Sequence, residues 1–119
     1  MRNKIFFSVA QGNELDGTNH IAALRRIRRF KPLLVNGMYK GAHESSFCLS
    51  LTRIELVESI AREFNQESIL IVDAHGQAFL KYLSNGNTER LGKFARITRR
   101  KAETLDAWSS INGQFYSVE

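Results

Sequence analysis

The chain has 119 residues, 43% of them apolar and 24% charged, which is the balance of a soluble globular protein with one core and no spare layers. No apolar run approaches the ~18 residues of a membrane span, and the apolar patch in MRNKIFFSVAQGNE is too short and too soon broken for a signal peptide. The single cysteine, Cys48, excludes an internal disulfide and a cysteine-based zinc cluster, while a net charge of +5 favours an anionic partner or substrate. The expectation is one domain over residues 1–119, in the cytoplasm and away from membranes.

Lys4 to Ala10 reads as a strand, with Ile5, Phe7 and Val9 on one face. Gln11 to Thr18 holds two glycines and two acids and reads as a loop. Asn19 to Phe30 reads as a helix, because Ile21, Leu24, Ile27 and Phe30 recur closely enough to a period of about 3.6 to make one stripe. Arg25, Arg26, Arg28 and Arg29 lie off that stripe. Pro32 ends the helix, since the residue before a proline is pushed out of helical conformation. Leu33 to Val35 begins a second strand, which either stops at the Asn36-Gly37 turn signal or continues to Tyr39. A glycine-flanked loop carrying Tyr39 and Glu44 is expected next. Then Phe47, Leu49 and Leu51 alternate with Ser46, Cys48 and Ser50, so Ser45 to Leu51 reads as a third strand.

Thr52 to Phe64 reads as the second helix. Thr52 and Glu55 have capping-box spacing, Leu51 and Leu56 have staple spacing, and Val57, Ile60, Ala61 and Phe64 supply the buried face. Ser68 to Val72 is apolar on both faces and reads as a central strand. Ala78 to Leu83 and Thr88 to Phe94 read as strands joined at Asn85-Gly86, and Ala107 to Ser110 with Phe115 to Val118 as strands joined at Asn112-Gly113. Strand, helix, strand, strand, helix, strand is the order of a ferredoxin-like βαββαβ unit. The fold class is therefore expected to be α+β, with the helices on one face of an antiparallel sheet. The C-terminal hairpins, or a second subunit, would cover the other face; the reading leans towards an oligomer.

Candidate chemistry concentrates in NGMYKGAHESSFCLSL, Asn36 to Leu51. Gly37 and Gly41 flank Tyr39, and Glu44 is the only carboxylate between Asp16 and Glu55. The ordinary alternatives are a solvated Glu44, a half-buried packing Tyr39, and strand-edge Ser45 and Ser46. Neither serine sits in a Gly-x-Ser-x-Gly elbow, so a triad hydrolase is not expected. His20, His43 and His75 lack metal-ligand spacing, and no metal is expected. The arginine group on the first helix and the group Lys93, Arg96, Arg99, Arg100 and Lys101 read first as solvated surface. The chain has no zinc finger, RNP-like aromatic motif or helix-turn-helix signature, which argues against a nucleic-acid partner.

The Gly37-Met38-Tyr39 segment with Gly41 and Glu44-Ser45 resembles the small phage enzymes that degrade S-adenosylmethionine (SAM). So do Ala61-Arg62-Glu63-Phe64-Asn65 leading into ESILIVDAHGQAFLKYL, and the aromatic, glycine-turned end from Trp108 to Val118. The resemblance spans most of the chain as spacing and residue type. It implies a SAM lyase that depletes SAM in the host bacterial cytoplasm, a phage counter-defence against SAM-dependent systems such as restriction. It also implies a PII-like α/β sandwich assembled as a homotrimer, with active sites between subunits. In such a lyase the substrate's own carboxylate attacks its γ-carbon, releasing methylthioadenosine and homoserine lactone without a cofactor. On that reading Tyr39 and Glu44 are the catalytic candidates, and Gly37, Gly41, Ser45 and Ser46 the substrate-binding ones. Glu44 would pair with the substrate ammonium or orient a tyrosine, or act as general base if the reaction were hydrolysis. Two alternatives stay open: a lyase for a SAM–nucleotide conjugate, and a basic nucleic-acid-binding inhibitor without enzymatic activity.

Overall fold

The computed structural model describes residues 3–9, 18–39 and 41–119, with Tyr39 described by its backbone alone. Ala10, the expected loop residues 11–17 and Lys40 lie outside the described residues. The strands are β1 Lys4–Phe7, β2 Leu33–Tyr39, β3 Ala42–Ser50, β4 Ser68–Val72, β5 Gln77–Tyr82, β6 Thr88–Ile97, β7 Trp108–Ile111 and β8 Gln114–Val118. They bond in the order β1-β3-β2-β7-β8-β6-β5-β4 and return to β1, every pair antiparallel, as a closed barrel. Helix α1 spans Thr18–Ile27 and tightens into a 3-10 turn over Arg28–Phe30; α2 spans Ile54–Glu63 and the short α3 Arg99–Ala102.

Side chains alternate across each strand, and the alternation separates two apolar clusters. Phe6, Val35, Cys48, Val72, Ala78 and Phe94 meet inside the barrel with Leu70, Ile111, Tyr116 and Val118. The Phe94 ring lies 5.2 Å from both Phe6 and Tyr116 and is stacked on the latter. Each such pair is worth about 0.5–1.5 kcal/mol beyond the area it buries. The opposite faces of β1, β3 and β4 send Ile5, Phe7, Phe47, Leu49 and Ile69 outwards against Ala23, Ile27, Val57, Ile60 and Ala61 of the helices. A side chain as fully buried as Phe47 contributes about 1.5–3 kcal/mol.

The expected ferredoxin-like, PII-like sandwich is therefore wrong. The strands β4-β1-β3-β2 do lie side by side with α1 and α2 on one side. The C-terminal strands, however, do not form separate hairpins laid over the other face. They join the sheet edges, β5 bonding to β4 and β7 to β2, and so close the sheet on itself. Closure removes both exposed edges and turns the second face into a barrel interior, which an eight-stranded barrel can fill with side chains.

Local expectations fared unevenly. The first helix buries Ala23 and Ile27 with Leu24 and Phe30 against the core, while Ile21 is 52% exposed. The Thr52–Glu55 capping box is replaced by Ser50, whose hydroxyl accepts from the Thr52 amide. The Asn112-Gly113 hairpin forms as a two-residue turn between Ile111 and Gln114, both turn residues having positive φ. At Asn85-Gly86 the loop is wider, with Tyr82 bonded to Asn87 across it.

Candidate functional site

The expected loop from Gly37 to Glu44 is instead a β-hairpin. Tyr39 ends β2, Ala42 begins β3, and the two residues pair directly. Gly41 makes the reversal at φ +78°, a left-handed conformation that suits glycine, and its amide donates to the Asp106 carbonyl at 3.2 Å. Gly37 has a different reason to be glycine. A Cβ there would stand 2.8 Å from the Trp108 carbonyl oxygen, so its absence lets β7 pair closely with β2. The Asn36-Gly37 signal is thus a close strand contact rather than a turn.

The β2–β3 register is unbroken from Leu33–Cys48 to Tyr39–Ala42. Because Val35 and Cys48 face the barrel interior, the period of two places Ser46 and Glu44 on that face, with Gly37 opposite Glu44. The same row continues through Ser109 of β7 to Tyr116 of β8. Tyr116 in turn pairs with Arg96 of β6, so a carboxylate, a hydroxyl, a phenol and a guanidinium share one inner row, with the side chain missing at Gly37. Glu44 and Ser46 are half-buried. No described residue hydrogen-bonds or ion-pairs with Glu44. The Tyr116 hydroxyl bonds to Gln114 at 3.0 Å, and its ring is held by Phe94.

The structure therefore groups Gly37, Glu44 and Ser46, and separates Ser45, which is exposed on the outer face with His43. The Tyr39 side chain lies outside what is described. Ser109 is a member of the inner row that no local feature of the sequence singled out, while Tyr116 lies in the aromatic, glycine-turned end that carries part of the resemblance. The Asn112-Gly113 turn could have paired them with one another, but nothing local in the sequence places β7 against β2.

Farther down β3, Cys48 is buried inside the barrel, and burial pushes its thiol up to about 11, with Lys4 pulling weakly the other way. It is a packing residue with no thiolate at neutral pH. The histidines occupy separate places: His20 stacks on Phe47, His43 stands edge-on to Trp108, and His75 is exposed in the turn after β4.

Two open clefts lie elsewhere, on the outer side of the helices. One, of about 630 Å³, is lined by Arg25, Arg26, Arg28, Arg29 and Leu56; the other, of about 370 Å³, shares Arg29 and Leu56 with it. Neither is lined by Glu44, Gly37, Gly41, Ser45 or Ser46. The helices cover the outer face of β3 and Glu44 is on its inner face, so the arginines and Glu44 are on opposite sides of the barrel wall.

No curated protein matches the chain. The model of the S-adenosylmethionine lyase family matches residues 8–119, nearly the whole of it. The chain belongs to that family and is a SAM lyase.

Proposed function

We propose that this lyase splits SAM into methylthioadenosine and homoserine lactone, with the site built on the β2–β3 hairpin. A substrate carboxylate oxygen attacks the γ-carbon and closes the lactone ring. The bond from that carbon to sulfur breaks, and its electron pair returns to sulfur as a neutral thioether. No proton is transferred, no water enters and no cofactor is required. The protein's task is to hold the methionine tail in the attack geometry, an orientation effect worth ~7–11 kcal/mol in favourable cases.

Glu44 supports the reading: a half-buried carboxylate on the inner face, opposite a glycine and without a partner among the described residues. In this role it binds the substrate ammonium, a charge-assisted contact of about 1.5–3 kcal/mol. Tyr39 hydrogen-bonds the reacting end or offers its π face to the sulfonium. Ser46 shares Glu44's face and adds a hydrogen bond. Ser45, on the outer face, would reach substrate only from across a subunit boundary. Gly37 and Gly41 shape the hairpin and act on substrate only through it.

The proposal includes a homotrimer with shared sites, working in the host cytoplasm to deplete SAM as a phage counter-defence. Leu34 is 56% exposed on the outer wall, where Trp108 and Phe115 are half-buried, which suits an apolar subunit contact. No helix among the described residues is long and apolar enough to cross a membrane. The nucleotide-conjugate alternative gains nothing from the arginines of α1, which lie across the barrel wall from Glu44 within one chain.

Glu44→Gln tests the assignment. The variant should keep its melting temperature and oligomeric state and lose roughly 10- to 150-fold in kcat/KM, the rate equivalent of the contact above. A fully active variant would show that another carboxylate binds the ammonium.

A further inference from the structure

The arginines at the end of α1, read in the sequence as a solvated helix face, line an open cleft together with residues of a second element. Arg25, Arg26, Arg28 and Arg29 line the larger outer cleft, and the cleft beside it adds Phe30, Arg53 and Glu55. Arg53 comes from the turn before α2, so two separate elements bring guanidinium groups to one surface. The Arg29 and Arg53 guanidiniums lie 4.8 and 4.2 Å from the centroid of the Phe30 ring. Arg26 is paired with Glu63 of α2. Arg25, Arg28, Arg29 and Arg53 have no carboxylate partner among the described residues.

In the other basic cluster Arg99 is matched by Glu103 and Lys101 by Glu119, while Lys93, Arg96 and Arg100 have no carboxylate partner among the described residues. On the α1 side the uncompensated arginines repel one another, and the C-terminal end of one helix offsets only part of that cost. Arg53 is not on that helix at all. A surface of this kind is suited to an external anion that accepts forked guanidinium hydrogen bonds.

We propose that this arginine cleft binds the phosphodiester backbone of a nucleic acid, independently of sequence and of the SAM site. The clefts are open surfaces, unlike the enclosing pockets that hold small molecules. Phe30 already carries guanidiniums, so it offers no platform for a stacked base. Recognition therefore falls on phosphate, and a linear polyanion can engage several of the arginines at once. The inference does not rest on the site chemistry proposed above, because within one chain the cleft and Glu44 are separated by the barrel wall.

The test is fluorescence anisotropy of the full chain with a labelled DNA duplex across a salt series. With the four unpartnered arginines each meeting a phosphate, the slope of log K against log salt should be about −3.6. An Arg25→Glu/Arg28→Glu variant should bind at least about 10-fold more weakly at low salt and keep its SAM turnover. Arg53→Gln should shallow the slope by about 0.9. An Arg99→Glu/Arg100→Glu variant, with the same change in net charge, should bind nearly as well as the parent. Absence of binding at low salt would overturn the proposal. So would an equal loss from the Arg99/Arg100 variant, which would reduce the effect to net charge. Competition by free triphosphate at the same phosphate concentration as DNA would also overturn it, in favour of a small anion.

Discussion

Replacing Gly37 by alanine separates a structural role for this glycine from a role towards substrate. The added methyl would stand 2.8 Å from the Trp108 carbonyl oxygen, and the obstructing atom is backbone. It cannot swing aside like the end of a flexible side chain. Gly37 is also fixed on both sides, opposite Glu44 in β3 and Ser109 in β7. Relief must come from spreading β2 from β7, one of the contacts that close the barrel. Overpacking of this kind costs about 1–3 kcal/mol. In a chain of this length each kcal/mol lowers the melting temperature by roughly 3–6 °C, so the expected fall is roughly 3–18 °C. Thermal unfolding followed by circular dichroism measures it, with Gly41→Asn as the companion. At Gly41 nothing lies within 4 Å of the added atom, and asparagine tolerates the left-handed backbone, so that variant should melt close to the parent. A Gly37→Ala protein that melts with the parent but loses its activity would refute the strand-contact argument and return Gly37 to the substrate.

Ser46→Ala should lower kcat/KM by roughly 2- to 13-fold, the equivalent of one neutral hydrogen bond, and a variant that matches the parent would remove Ser46 from the site. The Cys48 thiol is raised from its usual 9.0 to about 11, so its contribution to stability is complete below pH 9 and is lost as pH rises through 11. The stability gap between parent and Cys48→Ala should shrink over that window by an amount on the order of 2–3 kcal/mol; denaturant curves that run parallel across it would contradict the buried thiol. Light scattering should give a trimer, and a monomer that still turns over SAM would contradict a shared site.

The sequence carries whatever is encoded locally. Alternation in Ser45 to Leu51 and the apolar run of Ser68 to Val72 announce their strands, and Val57, Ile60 and Ala61 announce the buried face of α2. What decides the architecture is not local. Pairing of Met38 with Trp108 and of Val72 with Ala78 joins the C-terminal strands to the two edges of the N-terminal sheet. The second of these follows from a short turn, but nothing in the residues around Met38 points to Trp108. Without that link, the order of the first six elements fits an open sheet with loose hairpins as well as it fits a barrel.

The same gap explains the partial view of the site. Gly37 and Gly41 look alike in sequence, yet one accommodates a neighbouring strand and the other reverses the chain. Glu44 and Ser46 could be placed on one face only once the segment was known to be strand, since a loop has no period. Ser109 and Tyr116 join them through register alone. Arg53 joins the α1 arginines through packing of the two helices on the barrel, which no spacing in the sequence reveals.

Incubation of the protein with SAM, followed by proton NMR over time, tests the central claim most directly. Methylthioadenosine and homoserine lactone should appear together and first, with homoserine arising only as the lactone opens in solution. Homoserine formed directly, with no lactone, would mean that water rather than the substrate's carboxylate attacks. Unchanged SAM would contradict the assignment of substrate.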